Sequence, residues 1–282
     1  MLILTKEDIE AVCSMEDAIE AVKEAFIIHS EGSVKVPLRI NIRSDKYNGN
    51  MLFMPAYCEQ KDAASLKIVS VYPDNKEKKL PSTPAQVLLI DPSTGIVLSI
   101  LDGTYITALR TGAASGAAFS VLAKSECKTG ALIGTGTQAA MQLEAMITSK
   151  KPKIVKVYSR NKERLNSFVE NMKTKFKSKD VEITASDSAD AAVEEADILI
   201  TATNSDKPLF SARSCKPGLT ISAVGSFTKQ MQELDAMVLK KASKIYYDDK
   251  EAMLEEAGEI IKALENNEGT LSDTGAFVIS TG

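Results

Sequence analysis

"LIGTGTQAA", residues 132–140, decides the fold. Gly134, Gly136 and Ala139 spell G-x-G-x-x-A behind a short apolar segment and ahead of a helical pattern that opens at Thr137. In that setting the first glycine permits a tight turn. The second lets the backbone approach a pyrophosphate, and the alanine lets helix and strand pack closely. Free amides at the start of the helix then face the phosphates. Gly134, Gly136, Thr137 and Gln138 are the candidate contacts for a dinucleotide; the alternative is a tight turn with no ligand.

Downstream, the pattern alternates. The strands "GALIG", "KIVKVYS", "VEIT", "DILITAT", "LTISAVG" and "KIYYDD" are separated at first by the helices "NKERLNSFVENMKTKF" and Ser188–Glu195. This spacing predicts a doubly wound parallel sheet with helices on both faces. Where NAD sites usually carry Asp or Glu, after the second strand, the chain has Ser159 and then Arg160. Serine does not repel a 2′-phosphate and arginine binds one, so NADP(H) is expected over NAD(H); a solvated helix start is the alternative. Thr201 and Thr203 in "ITAT", with Val224 and Gly225 in "AVGS", end the later strands and are expected to wall the nicotinamide end.

Upstream the grammar differs. Thr5 and Ser14, followed by Asp8 and Asp17, read as helix N-caps, and the second helix runs to about Ser30 before Gly32. From Val36 to Asp102 short β-rich runs predict an antiparallel or mixed sheet, with "DPSTG" as a turn. "GTYITALRTGAASGAAFSVLA" predicts a closely packed helix. Three cations stand out: Arg39, Lys67 and Arg110. Arg39 and Lys67 fall inside expected strands, where a charge is costly unless paired or functional. Arginine suits a carboxylate grip; lysine binds a carboxylate or, with a lowered pKa, delivers a proton.

The totals narrow the chemistry. Net charge is −4 and no apolar run is long enough to span a membrane, so neither nucleic acid nor membrane is an expected partner. The N-terminus lacks the pattern of a signal peptide, so a cytoplasmic location is the default. Cys13, Cys58, Cys127 and Cys215 are scattered and read as reduced, mostly buried thiols without a metal. His29 is the single histidine and sits in a helical pattern. A serine triad or histidine metal site is disfavoured, and proton transfer falls to Lys, Asp, Glu, Tyr or water.

The stretch "MPAYCEQKDAASLKIVSVYPDN…LPSTPAQVLLIDPSTGIVLSILDGTYITALRTGAASGAA" resembles the ornithine cyclodeaminase/μ-crystallin family. "IGTGTQA", "VYSRNKERL", "SAVGSF…QELD" and "EAGE" do so too. The resemblance implies a Rossmann-type domain at about 126–270 and an α+β substrate-binding and dimerisation domain at 1–125. It also implies a homodimer. It would set Arg39, Lys67 and Arg110 on a substrate carboxylate, with Lys67 near the reacting carbon, and Thr83 and Arg110 beside the cofactor. Members that cyclise ornithine carry an acid before the "MP" pair and another after the glycine of "VG". Here those positions are Leu52 and Phe227. The expected substrate is therefore a small cyclic imino acid, Δ1-pyrroline-2-carboxylate or Δ1-piperideine-2-carboxylate. Ornithine cyclodeamination, amino-acid dehydrogenation and non-catalytic NADP binding are the alternatives. A further helical segment that family members carry after "EAGE" is not matched by residues 271–282, which read as a shortened tail.

Overall fold

The computed structural model describes residues 1–265 and 279–281 of the chain. They form two units, Met1–Arg110 and Thr111–Gly282, with the division inside one helix.

In the first unit, β1 (Leu2–Leu4) leads into α1 (Lys6–Val12) and α2 (Met15–Ser30). Both helices start with reciprocal capping boxes: the Thr5 and Ser14 hydroxyls cap the first turn while Asp8 and Asp17 accept from the cap amides. Then follow β2 (Val34–Lys35), β3 (Ile40–Ser44), β4 (Gly49–Cys58), β5 (Ala63–Val71), β6 (Ala85–Ile90) and β7 (Val97–Asp102). The sheet order is β1-β7-β6-β5-β4-β2, with β3 also on β4. Only β1 and β7 pair in parallel, so the sheet is mixed. Arg39 lies one residue ahead of β3 and not within a strand, because Pro37 interrupts the run between β2 and β3. Pro55 sits in β4 opposite Leu66 of β5. On the other edge of β4 it falls in the gap between β3 and β2, where no partner calls for its missing N–H. The helix α3 (Gly103–Leu122) closes this unit and opens the next.

The second unit is built from β8 (Thr129–Ile133), α4 (Ala139–Lys150), β9 (Ile154–Tyr158), α5 (Lys162–Lys175), β10 (Glu182–Ala185), α6 (Ala189–Val193), β11 (Ile198–Thr201) and β12 (Thr220–Ala223). After these come α7 (Ala236–Lys241), β13 (Ala242–Lys244), α8 (Lys250–Glu256), α9 (Gly258–Glu265) and β14 (Ile279–Thr281). The order β10-β9-β8-β11-β12 is parallel throughout, and β14 and β13 extend it antiparallel. Residues such as Leu132, Val155, Ile198 and Ile200 are fully buried because helices cover the sheet. On α3, Gly112 faces the Met141 carbonyl of α4 so closely that a side chain there would collide with it, which explains the small residues.

Three sequence expectations are corrected. "KIYYDD" is not a strand: β13, at Ala242–Lys244, takes in only its first residue, and 245–249 are irregular. Helix α4 begins at Ala139, not Thr137, because residues 137–138 form a turn closed by the Ala139 amide on the Gly136 carbonyl. Among the cysteines only Cys127 is buried; the other three are half-buried. The expected tail covers β14, while 271–278 and 282 lie outside the described residues. Among those described, no helix is long and apolar enough to cross a membrane, and no group of His, Cys, Asp or Glu could hold a metal.

Candidate functional site

The sheet of the second unit reverses its winding between β8 and β11. The chain proceeds from β8 to β9 and β10 on one side, then crosses over to β11 and β12 on the other. The crevice beyond the strand ends at such a switch point is where open α/β sheets bind ligands. The glycine loop lies there. Gly134 has φ +113°, and a side chain on it would strike the Ala202 carbonyl after β11. Only glycine satisfies both constraints. Gly136 is exposed, with open space where a side chain would project, so the backbone can be approached from outside. The side-chain oxygen of Gln138 is buried without a hydrogen-bond partner. The open backbone at Gly136, ahead of a helix, fits a phosphate-bearing ligand, which takes backbone N–H donors.

Each wall of the crevice is laced to the next. The Gly134 amide donates to the Tyr158 carbonyl at 2.9 Å, the Ala202 amide to Ile133 at 2.9 Å and the Val224 amide to Thr201 at 3.0 Å. On the β9 side, the Thr135 hydroxyl donates to the Ser159 oxygen at 3.1 Å, and Arg160 is exposed. Lys162 is turned away: its ammonium donates to the Asp187 carbonyl at 3.3 Å and lies over the Tyr158 ring.

On the β11–β12 side the centre is a residue to which the sequence reading gave no role. Glu233 is fully buried. Its Oε1 accepts from the Thr203 amide and hydroxyl, each at 2.7 Å. Its Oε2 accepts from the Thr201 hydroxyl and the Gly225 amide, each at 2.8 Å. Burial pushes its pKa up to about 7 against the pull of those donors. Glu259, in the first turn of α9, accepts from the Glu233 amide at 2.7 Å and the Ser226 hydroxyl at 2.6 Å. Both glutamates stand in the "QELD" and "EAGE" pieces that carried the resemblance. Those pieces themselves were the available signal.

In the first unit, Lys67 occupies the middle of β5, opposite Met54 of β4 and Val87 of β6. It is half-buried. Its pKa falls from 10.5 to about 8, first through burial and then through the charges of Arg110 and Arg39. Arg110 and Arg39 thus both fall within electrostatic reach of Lys67. Residues directly opposite on paired strands share a face, and faces alternate along each strand. Lys67 therefore shares its face with Leu52, Met54, Val69, Val87 and Leu101. On that face β3 to β7 carry no Asp or Glu. Thr83 is exposed on the loop before β6, in the first unit. Phe227, in the second, is 60% exposed.

The model of the ornithine cyclodeaminase/mu-crystallin family matches residues 1–276. A Δ(1)-pyrroline-2-carboxylate reductase of Bacillus cereus is 35% identical over 260 residues, 92% of this chain and 79% of its own. The solved Thermococcus litoralis Δ(1)-pyrroline-2-carboxylate reductase in complex with NADH and L-proline superposes with a TM-score of 0.88. It is 40% identical and is matched over 95% of this chain and 82% of its own. An archaeal alanine dehydrogenase dimer with bound NAD is 34% identical at a TM-score of 0.85, matched over 95% of this chain and 80% of its own. The chain belongs to the ornithine cyclodeaminase/mu-crystallin family.

Proposed function

We propose that this family member is an oxidoreductase that reduces a cyclic 2-imino acid, Δ1-pyrroline-2-carboxylate or Δ1-piperideine-2-carboxylate, to the cyclic amino acid. The observation that carries the reading is Lys67 among Arg39 and Arg110 on a sheet face without carboxylates. Two arginine charges that act against the Lys67 ammonium favour an anion beside it, and a substrate carboxylate supplies one. Leu52, Met54, Val69 and Val87 offer an apolar bed to a ring and no counter-charge to a distal ammonium. That disfavours ornithine.

A nicotinamide dinucleotide supplies the hydride when bound. Gly134, Gly136, Thr137 and Gln138 would hold its pyrophosphate, and Thr201, Thr203, Val224 and Gly225 would wall its nicotinamide end. Ser159 and Arg160 would take its adenosine ribose, and by resemblance Thr83 and Arg110 also approach it. The presence of Ser159 and Arg160 at the end of β9, where an acid would hold the ribose of NAD, supports NADPH as the preferred donor; NADH serves as the lesser one. Arg39 and Arg110 orient the substrate carboxylate. Lys67 gives a proton to the imine nitrogen, since an iminium carbon takes hydride far more readily than an imine carbon. One C–H and one N–H bond form, the C=N π bond is consumed, and the neutral Lys67 amine regains its proton from water. A lysine near pKa 8 is largely protonated at pH 7 yet acidic enough to donate.

A dimer accords with β3, an edge strand whose Ile40 and Ile42 are 59% and 48% exposed, with Leu38 ahead of it at 84%. The deciding assay follows NADPH and NADH absorbance with each cyclic imine, beside an ammonia assay with ornithine and NAD. Oxidation of the dinucleotide by the imine without ammonia from ornithine is the expected result. Ammonia from ornithine, or turnover of pyruvate with ammonia but not of an imine, would overturn the proposal.

A further inference from the structure

We propose that Glu233 is a positioning residue for the nicotinamide end of the bound dinucleotide, acting through Thr201, Thr203 and Gly225 and not by touching it. The inference rests on the reading that the second unit holds such a dinucleotide. It goes beyond that reading by giving a role to a side chain that no dinucleotide motif contains.

The geometry has three parts. First, the switch point lies between β8 and β11. A ligand whose pyrophosphate crosses there, with its adenosine toward β9, is left with the ends of β11 and β12 for its other half. Second, those two strand ends are held by a single carboxylate. Glu233 takes the Thr201 hydroxyl and the Thr203 amide and hydroxyl from the end of β11, and the Gly225 amide from the end of β12. Gly225 has no room for a side chain: one would meet both the Thr203 carbonyl and the Glu233 carboxylate. The two strand ends thus close on the carboxylate as one wall. Third, Glu233 is itself held. Its amide is tied to Glu259, and α9 starts at Gly258, which lies against the Met231 carbonyl so tightly that a side chain would not fit.

The chemistry of the residue is specific. Four donors converge on two oxygens, and an ionised carboxylate accepts all four. Glutamine has the same shape but one oxygen. Whichever way it turns, its NH2 meets a backbone N–H, that of Thr203 or that of Gly225, and that amide is left without an acceptor. A Glu233→Gln chain therefore keeps the fold of the sheet and loosens one side of the wall.

The test is binding, not turnover. The purified full chain and the variants Glu233→Gln and Thr201→Val are titrated with NADH, followed by its fluorescence, and with ADP-ribose, followed by calorimetry. ADP-ribose carries the adenosine, the pyrophosphate and the second ribose but no nicotinamide. In Glu233→Gln, NADH should bind about tenfold more weakly while ADP-ribose stays within about twofold. In Thr201→Val, which removes one of the four donors, the loss of NADH affinity should be about threefold, again with ADP-ribose unchanged. The blue shift of bound NADH emission should shrink in the same order. Should Glu233→Gln fail to fold, Thr201→Val decides alone. NADH affinity equal to that of the native chain overturns the positioning role, and so does an equal loss for both ligands. A native chain that binds neither ligand overturns the dinucleotide reading, and the positioning role falls with it.

Discussion

Lys67 and Glu233 are both charged groups drawn toward neutrality by burial, one down to about 8 and the other up to about 7. Their surroundings are opposite. Lys67 is half-buried among apolar side chains, and the charges that act on it, Arg110 and Arg39, have its own sign. Glu233 is fully buried, and two amides and two hydroxyls converge on it. The first arrangement gains by admitting an anion. The second already has its full set of partners and gains only in rigidity. A perturbed pKa alone does not separate a group that meets substrate from one that shapes a wall; the sign and number of the neighbours do.

The largest break in this comparison would come from Lys67 itself. Lys67→Met should lower imine turnover by about a thousandfold, within the span of general acid catalysis, while NADPH binding survives. Stopped-flow single turnovers read the first quantity and fluorescence the second; near-native turnover would remove the proton-transfer role. If Lys67 gives the proton, its protonated form is the active one in the native chain. Imine kcat/KM should therefore be level below pH 8 and fall as pH rises through the lysine pKa of about 8. Lys67→Arg keeps the charge and cannot lose its proton in that range. Any descending limb left in that variant belongs to the substrate.

Arg110 comes next. Arg110→Ala should raise the imine KM about 10- to 100-fold, the worth of hydrogen bonds from a cation to a carboxylate. Removing one like charge also raises the Lys67 pKa, so the descending limb should move to higher pH. A limb that stays at about pH 8 while KM climbs would mean that Arg110 grips substrate without tuning Lys67. An unchanged KM would mean that the cluster does not serve the carboxylate at all.

A third group, the Asp197 carboxylate, shows how a purely structural buried charge behaves. Asp197, ahead of β11, is 4% exposed. It accepts from the Lys128 and Thr129 amides at 2.6 and 3.0 Å and pairs with Lys124 and Lys216 at 2.7 and 2.6 Å. Burial alone would raise its pKa; the two lysines and two amides outweigh it and hold the carboxyl well below the ordinary 3.8. A depressed carboxyl adds stability above its unfolded pKa and loses it as pH falls through the folded one. Asp197→Asn should cost about 2 kcal/mol at pH 7, a melting shift of roughly 4–8 °C, and the gap to the native chain should narrow below about pH 4. NADH and ADP-ribose should bind as before. A selective loss of NADH in this variant would erase the distinction drawn for Glu233.

Much of this was legible in the residues. The G-x-G-x-x-A loop with its flanking periods marks the second unit, and Gly134 in it answers a backbone constraint that no other residue meets. Thr5 and Ser14 announced their helices through local hydrogen bonds three residues long. Lys67 and Arg110 stood out because charges are rare among β-formers and alanines. Glu233 and Asp197 did not, because their partners lie far off in the chain, Thr201 for the first and Lys124 and Lys128 for the second, and no spacing rule joins them. Arg39 sits in a β-rich run that Pro37 interrupts, and the β-forming side chains of "KIYYDD" do not report whether a neighbouring strand is there to pair. The apolar face around Lys67 needed the register of β4, β5 and β6, which follows from turns and pairing and not from composition.

The smallest expected effect asks whether the logic of the first region recurs in the second. Arg160 is a cation next to Ser159 at the end of β9, and it is exposed. If it meets a 2′-phosphate, the pair is screened by water and gains less than the cluster at Lys67, so Arg160→Ala should weaken NADPH about tenfold. NADH, which lacks that phosphate, should bind within about twofold of the native affinity, and the difference for NADPH should shrink as salt is raised. A native chain that prefers NADH, with Arg160→Ala indifferent to both, would reverse the reading. The second unit would then hold its ligand by backbone amides and fixed walls alone. Cation-for-anion recognition would belong only to the sheet that carries Lys67.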